Sequence, residues 1–139
     1  MSRFEMRKVP SGLKFDLYAA NGKSILTSEV YTTVHACRKG MESVRKNAAA
    51  ARLEDQTKEG WVNLTNPKFQ LYRDKAGAYR FRLRGRNGQI IGISETYTGW
   101  AGAMGGIESV RKNAPDRLTL VCQGRIKLIR GATLLHGSS

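Results

Sequence analysis

The sequence predicts an α+β fold made of two copies of one unit, on the strength of three observations. "NGKSILTSEVYT" at Asn21 returns as "NGQIIGISETYT" at Asn87, and "GMESVRKNA" at Gly40 as "GIESVRKNA" at Gly106, both 66 residues later. In each copy the apolar residues recur first at every second position and then at helical spacing. Turn residues punctuate the strand-like runs. The copies take residues 1–65 and 69–129, each a three-stranded antiparallel meander, a helix and a further strand or hairpin; residues 130–139 form a tail without a counterpart.

The strands come first. Phe4 and Met6, then Leu13, Phe15 and Leu17, alternate with polar residues, as do Phe69 and Leu71, then Tyr79, Phe81 and Leu83, so each strand buries one face. "PSG" and "KAG" close the first hairpins. Asn21-Gly22 and Asn87-Gly88 close the second, and Asn-Gly is the pair best suited to positive φ at both centres of a type I′ turn.

Helices are predicted over residues 33–47 and 99–113, where Val34, Cys37, Met41 and Val44 match Trp100, Ala103, Ile107 and Val110. Thr32 and Thr98 are placed to cap them, Arg45-Lys46 and Arg111-Lys112 suit the negative dipole end, and Asn47 or Asn113 suits a left-handed exit. Gly40 and Gly106 stand beside core positions at a cost of about 1 kcal/mol each relative to alanine, which implies close approach of the helix backbone to the sheet or to the other helix. A strand or hairpin follows at 52–65 and 117–129, with Gly60 and Gly124 in its turn. A unit of this size buries too little to be comfortably stable alone, so the two are expected to pack as a pseudo-two-fold dimer, with strand exchange as one route.

The run "YRFRL", "NGQII", "SETYT" and "GIESVRKNA" resembles the YegP-like family of small, mostly bacterial proteins, and the resemblance covers both units. It implies a unit that occurs singly or in tandem and folds as an antiparallel sheet with a helix on one face. It implies no reaction. The chain departs from short family members in its basic charge, its connector "AAAARLEDQTKEGWVNLTNPK" and its C-terminal extension.

Across 139 residues, 24 Lys and Arg against 11 Asp and Glu give a net charge of +13, a field that favours polyanions. Residues before Phe69 carry 12 basic and 7 acidic groups and the remainder 12 and 4, so the excess leans C-terminal. The N-terminus lacks the apolar core of a signal peptide and no run is long enough to span a membrane, which makes a cytoplasmic protein the simplest expectation. Cys37 and Cys122 occupy non-equivalent places, without a CxxC or a His cluster; reduced thiols are expected, and neither a metal nor a cofactor.

"YRFRLRGRNG" places Arg80, Arg82, Arg84 and Arg86 at every second position. With Tyr79, Phe81 and Leu83 turned toward the helix, the arginines share the opposite face. That face is either the plain solvated side of a two-layer domain or a polyanion surface, with RNA or single-stranded DNA as the preferred ligand and an acidic protein as the competing partner. Lys14, Asp16 and Tyr18 stand where the second copy has Arg80, Arg82 and Arg84, so the arginine row is not a need of the unit itself. Arg73, Lys14 and Tyr18 complete the nucleic-acid-binding set, with Tyr72 and Trp61 as further rings for stacking.

Catalysis is not expected. Glu29 with Glu95, and Glu42 with Glu108, recur because the units recur; His35 faces an alanine in the second copy and His136 lies in the tail. The "SExYT" segments at Ser28 and Ser94 are expected to shape the strand-to-helix turn. "GWAGAMGG" at 99–106 matches neither a phosphate loop nor a dinucleotide turn and reads as a first helical turn.

Overall fold

The computed structural model describes residues 2–115 and, beyond them, the backbone of three strands within 119–136. The elements in chain order are β1 (Arg3–Val9), β2 (Gly12–Tyr18), β3 (Ser24–Thr27), α1 (Val34–Asn47), β4 (Arg52–Asp55), β5 (Lys68–Arg73), β6 (Tyr79–Arg84), β7 (Ile90–Ile93), α2 (Trp100–Asn113), β8 (Thr119–Cys122), β9 (Ile126–Ile129) and β10 (Thr133–His136). All ten strands form one sheet in the order β10-β9-β8-β1-β2-β3-β7-β6-β5-β4. The fold is α+β. Cys122 and Gly124, and the tail outside residues 133–136, fall outside the described side chains; the backbone of 133–136 pairs antiparallel with β9.

Each meander is antiparallel throughout, and the two meet where Thr27 of β3 pairs with Ile93 of β7. The strand after each helix does not return to its own meander. β4 pairs parallel with β5, and β8 pairs parallel with β1. The helices explain this: α1 packs on β2 and also on β7, and α2 on β6 and β3, so each crosses the sheet centre and delivers its strand to the other meander's free edge. Phe15, Phe69, Phe81, Met6, Leu17, Leu26, Leu71, Leu83, Val44 and Ile107 are fully buried in one continuous core. At its centre a side-chain carbon on Gly92 would overlap Leu26, so the leucine of one copy occupies room left by a glycine in the other.

Several local expectations are corrected. The Asn-Gly hairpins are not type I′: Gly22 N–H donates to Ala19 O and Ala19 N–H to Lys23 O, with Gly22 at φ 85. This is a type I turn with Asn21 at its second centre, followed by a left-handed glycine bulge, and 85–89 repeats it. The cap of α1 is Thr33, not Thr32, its hydroxyl accepting from Ala36 N–H at 3.0 Å; the matching residue of α2 is Gly99, which has no side chain to cap with, so Thr98 is not the cap either. Asn47 and Asn113 make no left-handed exit, because the chain stays right-handed at Ala48 and Ala114 and each asparagine amide donates back to Ser43 O or Ser109 O at 2.8 Å. Val34 and Trp100 are 37% and 38% exposed, so the buried stripes begin one turn later, at Cys37 and Ala103.

Gly40 and Gly106 do mark close approach of each helix to the sheet, against Phe15 of β2 and Phe81 of β6 and the tyrosine rings stacked on them, and not to the other helix. The Tyr31 ring stacks on Phe15 with centroids 6.2 Å apart, and Tyr97 on Phe81 at 6.1 Å. A side-chain carbon at Gly40 or Gly106 would overlap the Tyr31 or Tyr97 hydroxyl. Ser28 and Ser94 fix the segments carrying these tyrosines: each hydroxyl accepts from Phe15 or Phe81 N–H and donates to the carbonyl of Glu29 or Glu95. The glutamates themselves point into solvent.

Candidate functional site

Both helices cover one face of the sheet, leaving the other to the polar residues of each alternation. In the second meander, Arg80 lies opposite Tyr72, Arg82 opposite Gln70 and Arg84 opposite Lys68. These side chains form the predicted arginine face, and all three arginines are half-buried.

A single glutamine holds the row. Gln70 Oε1 accepts from Arg82 Nε and from Arg84 Nε, both at 2.7 Å. Arg84 Nη1 also donates to Gly88 O at 2.7 Å, and Arg80 Nη2 to Ser94 O at 3.0 Å. The Arg82 guanidinium lies 4.6 Å from the centre of the Tyr72 ring. Gln70 can turn its oxygen to the arginines because its amide donates at 2.7 Å to Glu54 Oε2, on the neighbouring strand β4.

Glu54 is 1% exposed and anchors a buried cluster. Its Oε1 accepts from Lys68 Nζ at 2.7 Å and Leu64 N–H at 2.8 Å, and its Oε2 accepts also from Gln56 Nε2 at 2.8 Å. Lys68 Nζ completes its three bonds at Asn63 Oδ1 and Leu64 O. Burial pushes the Glu54 carboxyl up, but the hydrogen bonds from Lys68, Leu64, Gln70 and Gln56 outweigh it and hold its pKa at about 2. The connector after β4 thus folds over the edge of the arginine face through this carboxylate.

The remaining predicted residues separate. Arg86 is not in the row: β6 ends at Arg84, and Arg86 sits exposed in the β6–β7 turn. Arg73 lies opposite Tyr79, on the helix side, with its guanidinium 4.9 Å from that ring and Nη2 donating to Gly77 O at 2.9 Å. Lys14 and Tyr18 do lie on the far face of the first meander, Lys14 opposite Arg7 and Tyr18 opposite Arg3, whose guanidinium is 4.4 Å from the Tyr18 ring. Tyr72 joins the arginine face; Trp61 is 44% exposed in the connector.

Charge on the two far faces is arranged differently. In the first meander Arg7 pairs with buried Asp16 at 2.8 Å, Arg3 pairs with Glu5 at 3.3 Å, and Thr27 donates to Asp16 at 2.6 Å. Hydrogen bonding to Asp16 drives the Arg7 pKa up. Among the described residues Arg80, Arg82 and Arg84 form no ion pair, and both Nη atoms of Arg82 are without a hydrogen-bond partner. Also among the described residues, no group of three His, Cys, Asp or Glu is placed to hold a metal ion, and no helix is long and apolar enough to cross a membrane.

Sequence alone missed Gln70, Glu54 and Lys68. The alternation that turns Phe69 and Leu71 inward also turns Lys68, Gln70 and Tyr72 outward, so Gln70 was within reach of the pattern. Glu54 was not, since it arrives through a parallel pairing that no local signal announces.

Two meanders with crossing helices on one face, joined edge to edge in a single sheet, define a duplicated α+β protein. The family described as "Domain of unknown function (DUF1508)" matches residues 13–55 and 74–119. The chain belongs to this family, the YegP-like or UPF0339 proteins. It is 34% identical over 116 residues to UPF0339 protein PA0329 of Pseudomonas aeruginosa, covering 83% of this chain and 92% of that one. A UPF0339 protein of Methanosarcina acetivorans is 50% identical over 56 residues, which is 40% of this chain but 97% of that one. The solution structure of the E. coli protein of unknown function yegP matches with a TM-score of 0.71 at 30% identity, over 88% of this chain and 92% of that one.

Proposed function

We propose that this is a non-enzymatic binding protein whose second unit engages a polyanion, RNA or single-stranded DNA, through Arg80, Arg82, Arg84 and Tyr72. The observation that carries the reading is the contrast between the two far faces. The arginines of the first meander are neutralised by Asp16 and Glu5, while those of the second are oriented by a neutral glutamine and by carbonyls. A carboxylate partner would quench the row; Gln70 orients it and leaves its charge available. Side chains fixed before binding lose less entropy on binding, and Arg82 on the Tyr72 face adds a platform on which a base can stack.

Residues 1–65 and 69–129 are read as two domains of one fold, with 130–139 as an appended segment. The mirrored strand order, the parallel β4–β5 and β8–β1 pairings and the 56-residue match to a relative of nearly that length support a pseudo-two-fold dimer built within one chain. Duplication releases each half to diverge, and the arginine row is one place where the two differ.

The test is recovery of the tag-free protein from a native lysate. Nucleic acid is expected to copurify, seen as a raised absorbance ratio that nuclease abolishes, and to be lost from the R80Q/R82Q/R84Q variant. Recovery of a nuclease-resistant acidic protein through the same arginines would replace this ligand with the protein partner. Equal recovery with the wild type and the triple variant would refute the face itself.

A further inference from the structure

We propose that a groove between α1 and the β6–β7 turn binds the phosphate group of a small phosphate ester. This site lies on the helix side of the sheet and does not rest on the far-face reading. The groove measures about 650 Å³, in the range of small-molecule sites. Lys39 and Lys46 line it from α1 and Arg86 from the turn. The turn geometry places Arg86 there: because β6 stops at Arg84, Gly85 opens the type I turn, and a side-chain carbon on Gly85 would lie 3.4 Å from Ser43 Oγ of α1.

Lys39, Lys46 and Arg86 hold no hydrogen bond or ion pair among the described residues, and Lys39, Lys46 and Arg86 are exposed. The groove's carboxylate, Glu42, is taken by Arg45, which donates to both of its oxygens. Three cations from two elements therefore face one space whose carboxylate, Glu42, is bonded to Arg45, an arrangement suited to the separate oxygens of a phosphate dianion. Ala50 and Pro67 add an apolar floor on which the organic part of an ester can rest. The volume exceeds what inorganic phosphate fills.

Duplication supplies a control within the molecule. Glu42, Ser43, Lys46, Asn47 and Asn87 recur in the other copy as Glu108, Ser109, Lys112, Asn113 and Asn21. Lys39 and Arg86 do not recur; their counterparts are Gly105 and Ala20. One of these two cations belongs to the first copy and one to the second, yet both line the same groove. A structural requirement of the unit would have left them in both grooves, and a general excess of charge has no reason to converge.

The experiment is an amide-resolved NMR titration of the full chain with ribose 5-phosphate, with ribose and inorganic phosphate as companions. Ribose 5-phosphate is expected to give saturable shifts at residues 39–50 and 85–88, inorganic phosphate weaker shifts at the same amides, and ribose none. The K39Q/R86A variant should bind ribose 5-phosphate about tenfold more weakly or worse. Alanine at 86 is the residue the first copy carries at 20, so the turn accepts it. The R80Q/R82Q/R84Q variant should bind the ester as the wild type does, which separates this site from the far face. Shifts that do not saturate, that spread equally to residues 20–21 and 105–113, or that survive in K39Q/R86A would overturn the proposal.

Discussion

Replacing Glu54 by glutamine should be the most damaging isosteric change on the far face. The carboxylate accepts four hydrogen bonds, from Lys68, Leu64, Gln56 and Gln70. An amide can accept at one end only, so its NH2 would meet the donor groups of Gln56 and Gln70, and Lys68 would stay buried without a counter-charge. The interval between an ordinary 4.5 and about 2, at about 1.4 kcal/mol per pH unit, corresponds to about 3 kcal/mol. Removing one partner of a buried ion pair independently suggests about 3–5 kcal/mol. The folded carboxyl is the stronger acid, so its contribution is complete above pH 4.5 and is lost as pH falls toward 2. In urea at pH 7, with a slope of about 2 kcal/mol/M, E54Q should lower the midpoint by about 1.5 M. At pH 3 less than half of the difference should remain. A loss under about 1 kcal/mol at pH 7, or an equal loss at pH 7 and pH 3, would refute this account of the cluster.

Gly40→Ala should destabilise by about 2 kcal/mol or more, because the new carbon overlaps the Tyr31 hydroxyl, whereas Gly105→Ala, with nothing near the added carbon, should stabilise by up to about 1 kcal/mol in thermal or urea unfolding. Thr33→Ala should cost about 1 kcal/mol, read from the same transition, while Thr32→Ala should cost only a fraction of that, since Thr33 alone caps α1. Gly92→Ala should be destabilising in the presence of Leu26 and less so beside Leu26→Ala, so a double-mutant cycle should show favourable coupling between the two positions.

The repeat, the meanders and the helices were legible because each rests on local signals: an alternation of two, a spacing of three and four, and glycine turns. The alternation around Phe81 put Arg80, Arg82 and Arg84 on one face correctly. It failed at Arg86 because a strand pattern does not state where its strand ends, and Gly85 opens a turn there. Arg73 was misplaced although its own strand was legible: the alternation that turns Phe69 and Leu71 of β5 toward the helices turns Arg73 the same way. The cap of α1 slipped by one residue because Thr32 and Thr33 adjoin and only backbone geometry chooses between them; at α2 the same one-residue offset puts the cap on Gly99, past Thr98. The parallel pairings of β4 and β8 join segments distant in the chain, and Glu54 reaches Gln70 only through one of them.

The central claim is that Arg80, Arg82 and Arg84 form a charged surface for a single-stranded polyanion, and the dependence of binding on salt tests it most directly. Affinity for a single-stranded oligonucleotide would be measured by fluorescence anisotropy across a salt series for the wild type, R80Q/R82Q/R84Q and, in the first unit, R3Q/R7Q/K14Q. Each lost phosphate contact should flatten the slope of log affinity against log salt by about 0.7, so the second-unit variant should lose about 2 from its slope and the first-unit variant much less, with both still folded. Equal slopes in all three proteins, or an equal loss from either triple change, would contradict the claim.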